Sequence, residues 1–332
     1  MKSNSIQKIK SITGPNSVQS FQKEHLFQDQ PCVIQNEIES WTALKKWNAH
    51  YLSEKFGNIH LPISNYKSQG NIKPSLKQKM SIRDYFSYIE QTENGKDEIQ
   101  EPLYAAGWHY LKDCAELASD LGVPEHFSDN WIDRLKGIIN FDQTSLFIGH
   151  KKAETPLHTD SFFVSTWLAM IQGEKTLRLI PGQYSGYVKN GLDTFDAKVI
   201  DELSKQEIPL YEAKIKTGDI IYIPPGWWHQ VKNESVTIAV SNNYVSSYHF
   251  LNFEQQLRAK LLKPLVNLNK LRDDAILTSA ESLTNLQKFR YSIPTTRSSK
   301  FIENERDYAK YLVQESNKIS YLLDFMESRS FS

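Results

Sequence analysis

Gly218-Asp-Ile-Ile-Tyr-Ile-Pro-Pro-Gly-Trp-Trp-His229 is the stretch whose reading decides the fold. A Gly-Asp turn opens a short β-branched run, and Pro224-Pro225-Gly226 closes it ahead of two tryptophans and a histidine. Brief runs of Ile, Val, Thr and Tyr punctuated by Gly and Pro read as strands joined by tight turns. The same grammar recurs at 145–149, 166–171, 176–180, 213–216 and 235–240, with breakers at Gly149, Gly173, Pro181-Gly182 and Gly218. Many short strands at such intervals predict a barrel or a sandwich. Residues 182–211 interrupt the series and read as an insertion with a short helix over 197–204.

Outward from this core the pattern changes. Pro31-Cys-Val-Ile34 reads as a short apolar strand. Apolar residues at Trp41, Leu44, Trp47, Tyr51, Leu52 and Phe56 follow helical spacing, with Gly57 as C-cap and Asn48 as the cap of a separate second half. A second helix is expected over 81–89, capped by Ser81, with Ile82, Tyr85, Phe86 and Ile89 on one face. Residues 91–100 read as a polar loop. Beyond Ser247 the strands stop. Phe253, Leu257, Leu261, Leu262, Leu265, Leu268 and Leu271 keep helical intervals over 250–272, where Pro264 kinks the helix, and 301–325 reads as another long helix.

Lys plus Arg and Asp plus Glu both number 39, so the formal net charge is zero and gives no reason to expect nucleic acid or an anionic membrane as partner. Hydrophobic residues at 39% and aromatics at 12% fit a packed globular chain. Cys32 and Cys114 lack metal-ligand spacing and read as reduced thiols. The first residues hold no apolar run, and no stretch approaches the roughly 20 apolar residues of a membrane span. A cytoplasmic protein is the expectation.

The chemistry concentrates in Thr155-Pro-Leu-His158-Thr-Asp160 and in His229. Residues two apart on a strand project from one face, so His158 and Asp160 can address one ion. Two imidazoles and one carboxylate form the facial triad of mononuclear non-haem Fe(II) sites, which leaves positions for a bidentate co-substrate and O2. A closed structural zinc site would favour four ligands, often thiolates. Lys175, fifteen residues after Asp160 at the start of the next strand, needs an anionic partner if it is buried, and a dicarboxylate offers one.

Leu146-Phe-Ile-Gly149, Thr155-Pro-Leu-His158-Thr-Asp160, Gln172-Gly-Glu-Lys175 and Gly218-Asp…Pro225-Gly-Trp-Trp-His229, in that order, resemble the JmjC-type, cupin-fold 2-oxoglutarate oxygenases. This family includes asparaginyl and lysyl hydroxylases. The resemblance spans roughly 31–244, and both the spacing from Asp160 to Lys175 and the Gly-Trp-Trp-His sequence resemble the lysyl hydroxylase branch. It implies a mainly β chain with helical flanks: a double-stranded β-helix or jelly-roll core over 111–247, a mixed α/β flank over 1–110, and a C-terminal helical region over 248–332.

The resemblance also implies roles. His158, Asp160 and His229 match the iron ligands. Lys175 and Thr155 match the residues that hold the distal carboxylate of 2-oxoglutarate. Tyr104 resembles a co-substrate tyrosine and reads equally as a core aromatic. Asn243 matches an asparagine near the iron-side carboxylate and reads equally as a strand-end residue. Leu168 departs from the pattern, standing where the lysyl hydroxylases place an asparagine, and Trp167 beside it reads as core. Fe(II), 2-oxoglutarate and O2 are the implied cofactor and co-substrates, and C–H hydroxylation the implied reaction. A protein or peptide side chain is the expected substrate, with a small molecule as the alternative and a non-oxygenase metal-binding cupin as the third reading. The C-terminal helices are expected to pack on the core or to form a homodimer.

Overall fold

The computed structural model describes residues 6–14, 16–65, 76–94, 102–135, 144–189 and 191–259. Its strands are β1 (Gln7–Lys8), β2 (Ser11–Ile12), β3 (Cys32–Ile34), β4 (His60–Asn65), β5 (Leu76–Ser81), β6 (Tyr104–Trp108) and β7 (Thr144–Gly149). They continue with β8 (Glu154–His158), β9 (Ser165–Gln172), β10 (Glu174–Ile180), β11 (Tyr211–Lys216), β12 (Ile220–Ile223), β13 (Trp228–Asn233) and β14 (Thr237–Tyr244). A five-stranded sheet runs β1-β11-β10-β13-β8, and a nine-stranded sheet runs β2-β3-β12-β9-β14-β7-β6-β4-β5. From β7 to β14 the chain supplies four strands to each sheet, so the core is the expected jelly roll. The N-terminal flank is stitched into the same sheets: β1 lies parallel to β11, and β6 pairs with β7.

The strand sequences follow from what each must bury. β9, Ser165-Thr-Trp-Leu-Ala-Met-Ile-Gln172, is buried on both faces, as a near-continuous apolar run in a central strand should be. Trp167, Ala169 and Ile171 join the cluster beneath the N-terminal helices, while Leu168 and Met170 face the space between the sheets. In β11 the period is two, with Ala213 and Ile215 buried and Lys214 and Lys216 exposed.

Two expected helices form and one boundary moves. Asn48 separates Ala43–Lys46 from Ala49–Phe56, and its side chain accepts the Tyr51 amide. Ser81 Oγ accepts the Asp84 amide at the head of Ile82–Asn94, which extends into residues 91–94, read from sequence as loop. The chain divides into two units, 1–134 with 141–250 and 135–140 with 251–332. In the second, residues 251–259 are helical, and Arg258 pairs with Glu254 one turn away. The remainder of the helix expected over 250–272, and all of the one over 301–325, lie outside the described residues. No described helix is long and apolar enough to cross a membrane.

Candidate functional site

The turn after β12 sets the geometry. Trp227 N–H donates to Pro224 O at 3.4 Å, with Pro225 and Gly226 as the central residues and Gly226 at φ +74°. Proline first and a positive-φ glycine second make a type II turn. The turn delivers His229 as the second residue of β13, opposite His158 in β8 and Leu179 in β10. Because the turn closes at Trp227, His229 belongs to the strand that follows the turn and not to the Ile220–Ile223 strand before it. Likewise β8 ends at His158, so Asp160 lies just past the strand.

His158, Asp160 and His229 converge, each offering a ligand atom within 4.8 Å of the others. The two imidazole centroids are 4.2 Å apart, and His158 Nε2 lies 3.9 Å from Asp160 Oδ1. Both rings are keyed by their own backbone: His158 Nδ1 is 2.8 Å from Pro156 O, and His229 Nδ1 is 3.2 Å from Trp227 O. A carbonyl can only accept, so each Nδ1 donates its proton there, and Nε2 is the ring nitrogen left to face a metal. Burial, reinforced by the neighbouring His158, pulls His229 down to about 4, which keeps it neutral. Neutral imidazole is the ligating form, and a hydrogen bond from its second nitrogen is the usual way of orienting it.

A second group lies four positions along the same strands. Lys175 pairs with Asn233 across β13, as Leu179 does with His229, so the two groups are about 13 Å apart at about 3.3 Å per residue. Lys175 is fully buried. Its ammonium donates to Tyr104 Oη at 3.1 Å and to Asn233 Oδ1. Among the described residues no carboxylate pairs with it, and burial pulls its pKa down to about 7. Gly149 lets the sheets meet here: a Cβ would stand 2.3 Å from Asn233 Nδ2 and 2.6 Å from the Tyr104 ring.

Thr155 reaches the same inner face through an irregularity. His158 pairs with His229 and Thr155 with Val231, so three residues of β8 match two of β13. That bulge sets Thr155 and His158 on one side, although simple alternation would part them.

Asn243 faces Thr166 across the β14–β9 pair, and Thr166 Oγ1 is 3.1 Å from Asn243 Oδ1 and 2.5 Å from Asp160 Oδ2. Thr166, Asn233 and the close approach at Gly149 escaped sequence reading. Asn233 lay within reach of it, being four residues after His229 and hence on the same strand face.

Leu168 packs in the apolar cluster between the sheets, and Trp167 stacks on Phe127 at 5.6 Å as core. The two tryptophans before His229 face opposite ways: Trp227 joins the inter-sheet cluster, whereas Trp228 joins the cluster on the outer face of the five-stranded sheet. Val188, Leu203, Ile208 and Leu210 of the 182–211 insertion belong to that outer cluster. Thr194 N and Oγ1 both donate to Gln230 Oε1 at 2.7 Å, fixing the insertion on the sheet face away from the histidines. His158 and Asp160 keep 28% and 24% of their side-chain surface in solvent.

The donor set is two imidazoles that each turn Nε2 inward and one carboxylate, without a thiolate. That composition fits a borderline first-row cation such as Fe(II) with open positions better than a closed zinc site. The buried ammonium with its phenol and amide neighbours fits one end of a dicarboxylate.

Comparison with known proteins gives a concordant picture. A model of the cupin-like domain matches residues 18–250. The mouse 2-oxoglutarate and iron-dependent oxygenase JMJD4 is 28% identical over 276 residues, covering 74% of this chain and 64% of the relative. The Arabidopsis thaliana arginine-specific demethylase JMJ20 is 28% identical, covering 74% and 58%. The Caenorhabditis elegans bifunctional arginine demethylase and lysyl-hydroxylase psr-1 is 25% identical, covering 72% and 61%. The aligned part thus spans less than two thirds of the length of these curated relatives.

Proposed function

Because this chain belongs to the cupin-like domain family, we propose that it is an Fe(II)- and 2-oxoglutarate-dependent dioxygenase that hydroxylates a protein side chain. The observation that supports this most is the pairing, on one inner sheet face, of the His158–Asp160–His229 cluster with the buried Lys175. His158, Asp160 and His229 would hold the metal. Lys175, with Tyr104 beside it, would hold the distal carboxylate of the co-substrate, and Thr155 shares that face. Asn243 contributes at the metal end. When bound, iron with 2-oxoglutarate and O2 supplies an oxidative decarboxylation to succinate and CO2 coupled to insertion of one oxygen atom into a C–H bond. The chain's own part is to fix the donors, neutralise the co-substrate's far charge and keep the Lys175 end dry.

A protein side chain is supported by relatives named for arginine demethylation and lysyl hydroxylation. It is further supported by the insertion lying on the outer sheet face, away from the partly exposed His158 and Asp160. The buried free thiols Cys32 and Cys114 agree with a cytoplasmic setting. The helical spacing from Phe253 to Leu271 supports a homodimer through the C-terminal region, which light scattering of the full chain measures. The domain division proposed is a core over 111–247 between an N-terminal flank and that region.

The test is incubation with Fe(II), 2-oxoglutarate and host lysate, followed by a mass search for products one oxygen heavier. Substrate-dependent succinate should fall to background in His158→Ala and Asp160→Ala. Full turnover in either variant would refute the site.

A further inference from the structure

We propose that Thr166 is a positioning residue for Asp160, holding Oδ2 so that Oδ1 is the single oxygen turned toward the two imidazoles. This rests on the reading of His158, Asp160 and His229 as metal ligands.

Asp160 is the ligand least constrained by its own backbone. The histidines sit in paired strands with Nδ1 tied locally, whereas Asp160 lies between β8 and β9. The residues after it bend sharply, with Phe162 and Phe163 at φ +63° and +58°. A carboxylate there has two rotatable bonds and partial solvent exposure, and could meet an ion with one oxygen or with both.

Thr166 removes that freedom. Its side chain is β-branched and stiff at χ1, only 8% exposed, and anchored in β9 between Ile223 and Asn243 of the adjoining strands. Oγ1 stands 2.5 Å from Asp160 Oδ2, while Oδ1 is the oxygen 3.9 Å from His158 Nε2. One oxygen is therefore engaged and the other presented.

The hydroxyl has one proton, and an ionised carboxylate can only accept. With that proton given to Asp160, the contact of Oγ1 with the Asn243 amide, 3.1 Å away, is satisfied when the amide is flipped to present Nδ2. The result is a directed chain in which Asn243 donates to Thr166 and Thr166 donates to Asp160. It begins in β14 and crosses to the linker that follows β8, so the nine-stranded sheet sets the orientation of a group that works beside the other sheet.

Metal-free full-length protein titrated anaerobically with Fe(II), Mn(II) and Co(II) tests this. Thr166→Val keeps the shape and removes the hydroxyl, so affinity should fall about 10–100-fold, the usual effect of losing such an outer hydrogen bond. The visible Co(II) absorption should change as both carboxylate oxygens become available. Thr166→Ser restores the hydroxyl and should restore affinity and spectrum. Thr166→Ala serves if the valine variant does not fold, as judged by circular dichroism and melting. Wild-type affinity and an unchanged Co(II) spectrum in a folded variant lacking the hydroxyl would overturn the proposal. Asp160→Ala separates the layers. If it abolishes metal binding, the ligand reading stands whatever Thr166 does; if it binds metal like the wild type, the ligand reading itself fails and the proposal with it.

Discussion

The two ends of the inner face of the five-stranded sheet are built from the same strands and differ in almost everything else. At the His229 end the groups are two imidazoles and a carboxylate, two of the three a quarter exposed. At the Lys175 end a single ammonium is fully buried behind Tyr104 and Asn233. An end that exchanges ligands has to stay reachable. An end that grips a fixed charge gains from dryness, because attraction strengthens as water is excluded. Under the proposed function, the difference teaches that one sheet would hold a chemical end and a binding end about four residues apart, and that the two should fail separately.

The largest effect tests that separation. Lys175→Met should raise the apparent KM for 2-oxoglutarate about 30-fold or more, since truncating a buried charged contact costs upward of ~2 kcal/mol. Fe(II) affinity and melting temperature should hold, because an apolar side chain of similar volume replaces a buried charge at little or no cost. His229→Ala should do the reverse to metal binding. Loss of metal in Lys175→Met would merge the two ends into one unit.

A smaller effect comes from crowding. Gly149→Ala should cost about 1–3 kcal/mol of stability, because the added methyl overlaps Asn233 and Tyr104 and a packed core resists overfilling. Denaturant unfolding measures it, and 2-oxoglutarate affinity should suffer before metal affinity does.

The smallest effect is in pH. Lys175 titrates near 7 when buried, against ~10.4 in the unfolded chain. The unfolded state therefore binds the extra proton between those values, so this residue makes stability rise with pH across that window. A dicarboxylate requires the ammonium form, so 2-oxoglutarate affinity should weaken about five-fold from pH 7 to 8, with proton uptake on binding. Calorimetry in buffers of different ionisation enthalpy reads both, and a flat response would mean that Lys175 stays charged without a ligand.

Much of this was legible in the chain itself. β-branched runs between Gly and Pro pointed to a barrel or a sandwich, and the Pro224-Pro225-Gly226 turn is a local event that the sequence encodes almost alone. His158, Asp160, His229 and Lys175 stood out by residue type and spacing. What stayed hidden depended on register. Thr155 shares a face with His158 because β8 bulges against β13, and a bulge belongs to a strand pair. Thr166 matters because it meets Asp160, Asn243 because it meets Thr166, and Gly149 because two sheets close at that point. Contacts of this kind arise only when distant strands pair.

The three candidate ligands also differ in what steadies them. Pro156 and Trp227, each two residues before its histidine, aim the rings from within the same stretch of chain, so those rings would ride with their own strands. The Asp160 carboxylate is aimed from the opposite sheet. Any breathing of the sandwich would leave the imidazoles facing as before while turning the carboxylate. Asp160 would then act as the strain gauge of the fold, the point at which a distant change in sheet spacing is felt at the metal.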